Sequence, residues 1–281
     1  MFLKSEKKEM GKCMILHTVI FAIMLSSSAA WGGNFILPYF PSLSAQSVDS
    51  PYWSGITVYN NSNTSGTATF IFYERDGDVG QYTTTIPAWG MFVTALENLA
   101  VVKIAGSGTL GDSPLFANIS CNFDCGGMGM MANAVTGESF DISSVIDSKS
   151  FILPYFPSLS APSVYSPFWS GITLYNNSNT SGTAVLTFYQ IDGVVGQYTT
   201  PIIPAKGMYV NTLDGISITK ISGSGGLGGL PSFVNVSSDF YGGGFGMMGN
   251  VSTGESFSVH AKLKDSRNRA LPGVSMLLLG N

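Results

Sequence analysis

The chain has 281 residues, of which 44% are apolar and 11% charged, with a formal net charge of −4; the charged fraction is less than half of the roughly 25% usual in globular proteins. That length can build two ordinary domains with real cores. Basic residues are few, and Lys262, Lys264, Arg267 and Arg269 crowd into the last twenty positions, which excludes a basic surface for nucleic acid.

Residues 1–30 read as a cleavable leader. Lys4, Lys7, Lys8 and Lys12 form a positive start, 14–25 is a short apolar stretch, and Ser28, Ala29 and Ala30 precede Trp31, the pattern of a signal peptide. The apolar run is shorter than the about 20 residues that span a bilayer. The expectation is an exported protein, secreted or at the cell surface, with no membrane span after leader cleavage.

Beyond the leader the same letters come twice. FILPYFPSLSA at 35–45 returns at 151–161, WSGIT at 53–57 returns at 169–173, and YNNSNTSGTA at 59–68 returns at 175–184. The offset is 116 residues and becomes 117 after an extra residue near Pro201. Such self-similarity marks an internal duplication. It predicts one repeat at 31–147, a second at 148–256, and a C-terminal β-hairpin at 257–281 that either opens a truncated third module or completes a sheet.

Within each unit the elements follow in order. Residues 46–51 form a polar loop. At 55–59, Ile56 and Val58 alternate with Thr57 and Tyr59, which is a strand pattern. NNSNTSG at 60–66 is turn chemistry. The strand at 67–73 has assignable faces: Ala68, Phe70 and Phe72 answer to Ala184, Leu186 and Phe188, whereas Thr69 and Ile71 answer to Val185 and Thr187. The first set faces the core. Asp76-Gly77 and Asp192-Gly193 supply tight hairpin turns. Strands at 81–86 and 90–96 are parted by Pro87 and Gly90, and 101–104, 115–120 and 126–131 complete the unit. About seven to nine short strands per unit, with turns every eight to twelve residues or so, predict an all-β fold of two tandem antiparallel β-sandwiches.

The pattern WSGITxYNNSNTSGTAxxxFYxxDG resembles secreted bacterial immunoglobulin-like sandwich repeats, over roughly the first half of each unit. The resemblance implies a role as cell-surface spacer, adhesin segment or subunit of an extracellular assembly. The tail LKDSRNRALPGVSMLLLGN, at 263–281, is similar to the opening hairpin of carboxypeptidase-regulatory-like or bacterial Ig-like modules. There Asn268 stands where that pattern usually has Gly.

Reactive chemistry is sparse. His260 is the only histidine past the leader, so neither a Ser-His-Asp nor a Cys-His set can be drawn in both repeats; it reads as a solvent-facing strand residue. Glu74, Asp76 and Asp78 sit close enough to be weighed as paired carboxylates or as oxygen ligands for calcium. The second copy has Gln190, Asp192 and Val194, so only the turn Asp recurs and a hairpin turn with solvated flanks is favoured. Cys121 and Cys125 form a disulfide candidate that export would permit. In a straight strand they would lie about 13 Å apart, so a bridge requires a tight hairpin. The second copy has Ser238 and Gly242 there, so the fold does not need the bridge.

Tyr39, Trp53, Tyr155 and Trp169 could stack on sugar rings or pack between sheets. The runs 126–131 and 243–248, rich in Gly and Met, could be imagined as a thioether copper site. Glycine in a strand rather marks close approach of another backbone, and so an edge that receives a partner. Asn60, Asn63, Asn118, Asn176, Asn179, Asn235 and Asn250 begin N-x-S/T triplets and read as turn residues. The expectation is a non-enzymatic protein without catalytic residues, metal or cofactor. It would be a structural spacer or a subunit of an adhesive or filamentous surface assembly, meeting itself or another surface protein through an exposed strand edge. The alternative is a carbohydrate-binding module that takes polysaccharide on exposed Trp and Tyr.

Overall fold

The computed structural model describes residues 33–44, 51–145, 147–163 and 167–263. The expected leader, most of the 46–51 loop and the part of the expected C-terminal hairpin at 264–281 lie outside the described residues. The first repeat contributes β1 (Asn34–Phe40), β2 (Tyr52–Asn60), β3 (Gly66–Glu74), β4 (Val79–Ile86), β5 (Met91–Ala95), β6 (Val102–Ala105), β7 (Leu115–Cys121), β8 (Cys125–Asn133) and β9 (Ser139–Ser143). The second contributes β10 (Ser148–Phe156), β11 (Phe168–Asn176), β12 (Ala184–Gln190), β13 (Val195–Thr199), β14 (Met208–Thr212), β15 (Thr219–Ser222), β16 (Ser232–Asn250), β17 (Ser256–His260) and β18 (Lys262–Leu263). All pairing is antiparallel, and no α-helix occurs among the described residues. None of their helical turns is long and apolar enough to cross a membrane.

The first lobe has two sheets, ordered β1-β7-β3-β4-β6 and β5-β2-β8-β9. Their inner faces share one core, in which Ala68, Phe70 and Phe72 of one sheet meet Val58, Ile56 and Ile142 of the other. Period-two alternation therefore places the residues as expected. The second lobe repeats both sheets, with one difference. β16 is a single strand of 19 residues that does the work of β7 and β8 together. Its first part pairs with β10 and β12, and its last part with β11 and β17. One strand thus passes from sheet to sheet and holds the two layers together.

Two expectations need correcting. Residues 257–263 are not part of a separate tail hairpin: Ser256–His260 pairs with β16 as Ser139–Ser143 pairs with β8, and β18 pairs with β10. The second lobe therefore extends through Leu263, because the alternation after 257 is that of its own edge strand. The Gly and Met runs are not strand edges either. β8 lies between β2 and β9, and the matching part of β16 lies between β11 and β17. Glycine is needed there because rings from the opposite sheet rest on the strand backbone: a Cβ on Gly129 would stand 2.7 Å from the Phe40 ring, and one on Gly246 would stand 2.7 Å from the Phe156 ring.

The repeated turn has a single buried organiser. The Asn60 side-chain amide donates to the carbonyls of Thr64 at 2.8 Å and Pro87 at 2.9 Å, and its Oδ1 accepts from Ser62 N–H at 2.8 Å. Asn176 repeats the set with Thr180, Pro204 and Ser178. Both residues are buried, as a turn organiser must be if it is to satisfy main-chain groups away from water.

Candidate functional site

The three acids of the β3–β4 hairpin do come together, with ligand oxygens within 4.8 Å of one another. Their surroundings explain them as structural. Asp78 is ion-paired to Lys103 at 2.9 Å and accepts from Gly108 N–H at 2.9 Å, and the bond from Lys103 holds its carboxyl below the ordinary value. Asp76 is exposed and accepts from Ser113 Oγ at 3.0 Å. Glu74 is fully buried and accepts from Gly111 N–H at 2.6 Å. Burial pushes its pKa up to about 7, with smaller contributions from Asp76, Asp78 and Asp112. In the second lobe Gln190 takes its place: Gly228 N–H donates to Gln190 Oε1, and Gln190 Nε2 donates to Gly226 O at 2.9 Å. An amide performs the same anchoring, so the shared task is to fasten the loop before β7 or β16 to the hairpin.

A disulfide joins Cys121 to Cys125, with Cα atoms 6.5 Å apart, across the turn that interrupts what is one strand in the other lobe. Replacing both cysteines by serine is expected to cost at most about 2 kcal/mol, the loop-closure value for so short a span. Urea unfolding of the double variant checks it, and loss of the folded state would contradict it.

The four aromatic candidates are not brought together. Tyr39 is buried, stacked 6.4 Å from Phe245 of the other lobe. Trp169 is half-buried, edge-on to Phe140 at 6.0 Å, with its indole N–H donating to Glu138 Oε1 at 2.9 Å. Their counterparts differ: Tyr155 is exposed, and Trp53 lines an open groove. The sequence gives both members of each pair the same letters, so the difference comes from what covers them.

What covers them is the junction between the lobes. The outer face of the β1-β7-β3 sheet, with Tyr39, Tyr73 and Phe116, lies against the outer face of the β14-β11-β16 sheet, with Tyr175, Met208 and Phe245. Phe116 and Tyr175 meet at 5.0 Å, and the Lys206 ammonium sits 5.5 Å from the Tyr73 ring centre. Burial lowers the Lys206 pKa and raises that of Tyr175. Asn118 Nδ2 donates to Asn177 Oδ1 at 2.9 Å.

At the rim, the edge of β9 abuts side chains of β17. Ser256 Oγ donates to Ser139 O at 2.8 Å and accepts from Ser139 N–H at 2.8 Å, and Ser258 Oγ donates to Asp141 O at 2.8 Å. His260, expected to face solvent, instead reaches Asp141 at 2.9 Å. That bond is the largest cause holding the Asp141 carboxyl down at about 2.

No described residue covers the corresponding outer face of the first lobe, on β5-β2-β8. Tyr59, Trp89, Met91, Val93, Met128 and Met130 are all exposed, and Val93, Met128 and Met130 line a groove of about 250 Å³ with Trp53, Gly55 and Gly129. A contiguous apolar face of this kind marks an interaction surface more often than a solvated one. Sequence reasoning missed it, although apolar residues on both faces of β8 were its readable signal. Comparison with family models, with curated proteins and with solved structures gave no match.

Proposed function

We propose that this is a non-enzymatic structural or interaction protein: two tandem immunoglobulin-like sandwiches made by internal duplication, exported behind a signal peptide, serving as spacer or subunit of an adhesive or filamentous surface assembly. One observation carries the reading, the uncovered Tyr59, Trp89, Met91 and Met128 face of the first lobe. An apolar face of that extent is costly in water and is retained where a partner covers it. The acid cluster found among the described residues holds its own loop through Glu74 and Asp78, and the second lobe keeps that anchoring with Gln190 in place of Glu74, which supports a structural role for it.

The carbohydrate reading rests on Trp53, which lines the same groove. The groove is otherwise lined by Met, Val, Ile, Ala and Gly residues with Thr57 and Thr94 as its polar side chains, and the Thr94 hydroxyl already donates to Ala95 O, whereas a sugar requires several convergent hydrogen-bonding groups beside its stacking ring. Labelling of Met91→Cys with a membrane-impermeant maleimide separates covered from free. The reading expects strong protection on producing cells relative to dilute purified protein. Equal labelling rates in the two settings would contradict it.

A further inference from the structure

The junction between the lobes is heterologous: it joins the β1-β7-β3 face of one repeat to the β14-β11-β16 face of the other. Because both repeats derive from one unit, each also carries the other face, and no described residue covers those two faces. Phe116 is 0% exposed and its counterpart Phe233 38%; Tyr175 is 0% and Tyr59 46%; Met208 is 5% and Met91 61%. We propose that copies of this chain associate head to tail, the β10-β16-β12 face of one copy's second lobe docking on the β5-β2-β8 face of the next copy's first lobe, as the two lobes dock within a chain. This rests on the interaction reading above and names the partner as a second copy.

Pair by pair, the partners of the internal junction are present at the free ends. Phe116 against Tyr175 becomes Phe233 against Tyr59, and Tyr39 against Phe245 becomes Tyr155 against Met128. The Asn118 and Asn177 pair has Asn235 and Asn61 in the corresponding places, and Trp169 with Glu138 has Trp53 with Glu255. The ring stack of the docking face is already formed: Tyr189 and Phe233 lie 4.9 Å apart, as Tyr73 and Phe116 lie 5.0 Å apart.

At the place of Lys206, which covers Tyr73, the first lobe has Trp89, also in the left-handed region, at φ 54° against 57°. Both conformations are uncommon for side chains other than glycine, and both aim the residue from the tip of the same loop. An indole over Tyr189 would replace an ammonium over Tyr73, which keeps an aromatic contact without burying a charge.

A heterologous contact repeated by the same operator does not close on itself unless the rotation happens to close a ring. The expected product is therefore an open series of chains, in keeping with a filamentous assembly. Of the positions named on the two free faces only Glu255 is charged, so association should be driven mainly by apolar burial and depend weakly on salt.

The test is sedimentation velocity of the protein as secreted, from about 1 μM to about 100 μM, where modest interfaces associate. Two variants accompany it: Met91→Glu blocks the receiving face, and Phe233→Glu blocks the docking face. The expected results are a wild-type average mass that climbs with concentration past the dimer and single variants that each remain monomeric. A mixture of the two should stop at one-to-one dimers, because each retains one good face. That mixture also shows that both variants are folded. A wild-type protein that remains monomeric, a series that halts at a dimer, or a mixture that forms none would overturn the proposal. None of these results bears on the cell-labelling test, which registers any partner, so the two readings fail separately.

Discussion

Replacing Glu74 by glutamine is expected to raise stability by about 3 kcal/mol at pH 8 and by little at pH 4. The sign follows from burial. The Glu74 carboxyl titrates at about 7 in the folded protein against an ordinary value of 4.5, and each pH unit of such a difference is worth about 1.4 kcal/mol. Below 4.5 the group is protonated in both states and costs nothing. Between 4.5 and 7 the folded state binds more protons than the unfolded one, so stability falls as pH rises; above 7 the full penalty applies. Glutamine does not titrate, keeps an acceptor for Gly111 N–H and adds a donor, the arrangement that Gln190 already uses toward Gly226 O. Urea unfolding at the two pH values measures the difference. A variant no more stable than the wild type at pH 8 would show that Glu74 is solvated or that the loop has another anchor.

Tyr175→Ala should cost about 3–5 kcal/mol, the range for removing a fully buried aromatic side chain, and should split one cooperative unfolding transition into two. Tyr175 is buried among residues of both repeats, 5.0 Å from Phe116, so its ring fills the junction rather than either core alone. Tyr59→Ala removes the same side chain from the same place in the other repeat, where it is exposed. It should cost about 0.5 kcal/mol or less in the dilute protein. Calorimetry of both variants makes the comparison within one molecule. Equal costs would mean that the lobes do not share a packed junction.

The contrast between those tyrosines also shows where reading the sequence stops. Alternation at 67–73 places Ala68, Phe70 and Phe72 inward, and all three are buried, because a strand's two faces follow from period two alone. β1 was harder to see. Pro38 sits inside it, where a proline would normally argue against a strand, and the pairing with β7 accommodates it by a register shift between Leu37 and Phe40. β9 is short and its SFDIS letters lie past the last glycine run, so only its pairing with β8 reveals it.

The junction was beyond reach for another reason. YNNSNTSGTA is the same string in both copies, and period two points Tyr59 and Tyr175 outward alike. Which of them is covered depends on how the lobes dock, and local patterning does not encode docking. The acids of the first hairpin were legible in part: the exchange of Glu74 for Gln190 between copies argued against catalysis, but the flanks expected to be solvated are buried, and Glu74 and Asp78 anchor the following loop.

The account stands on one asymmetry, that a face closed in the second lobe is open in the first. Hydroxyl-radical footprinting of the dilute protein reads it directly, since methionine oxidation follows solvent exposure. Met91 should oxidise fast and Met208 slowly, although they occupy equivalent positions, and raising the concentration should protect Met91 while leaving Met208 unchanged. Equal oxidation of the two in dilute solution would mean that the lobes are not docked as described, and the self-association built on that docking would fall with it.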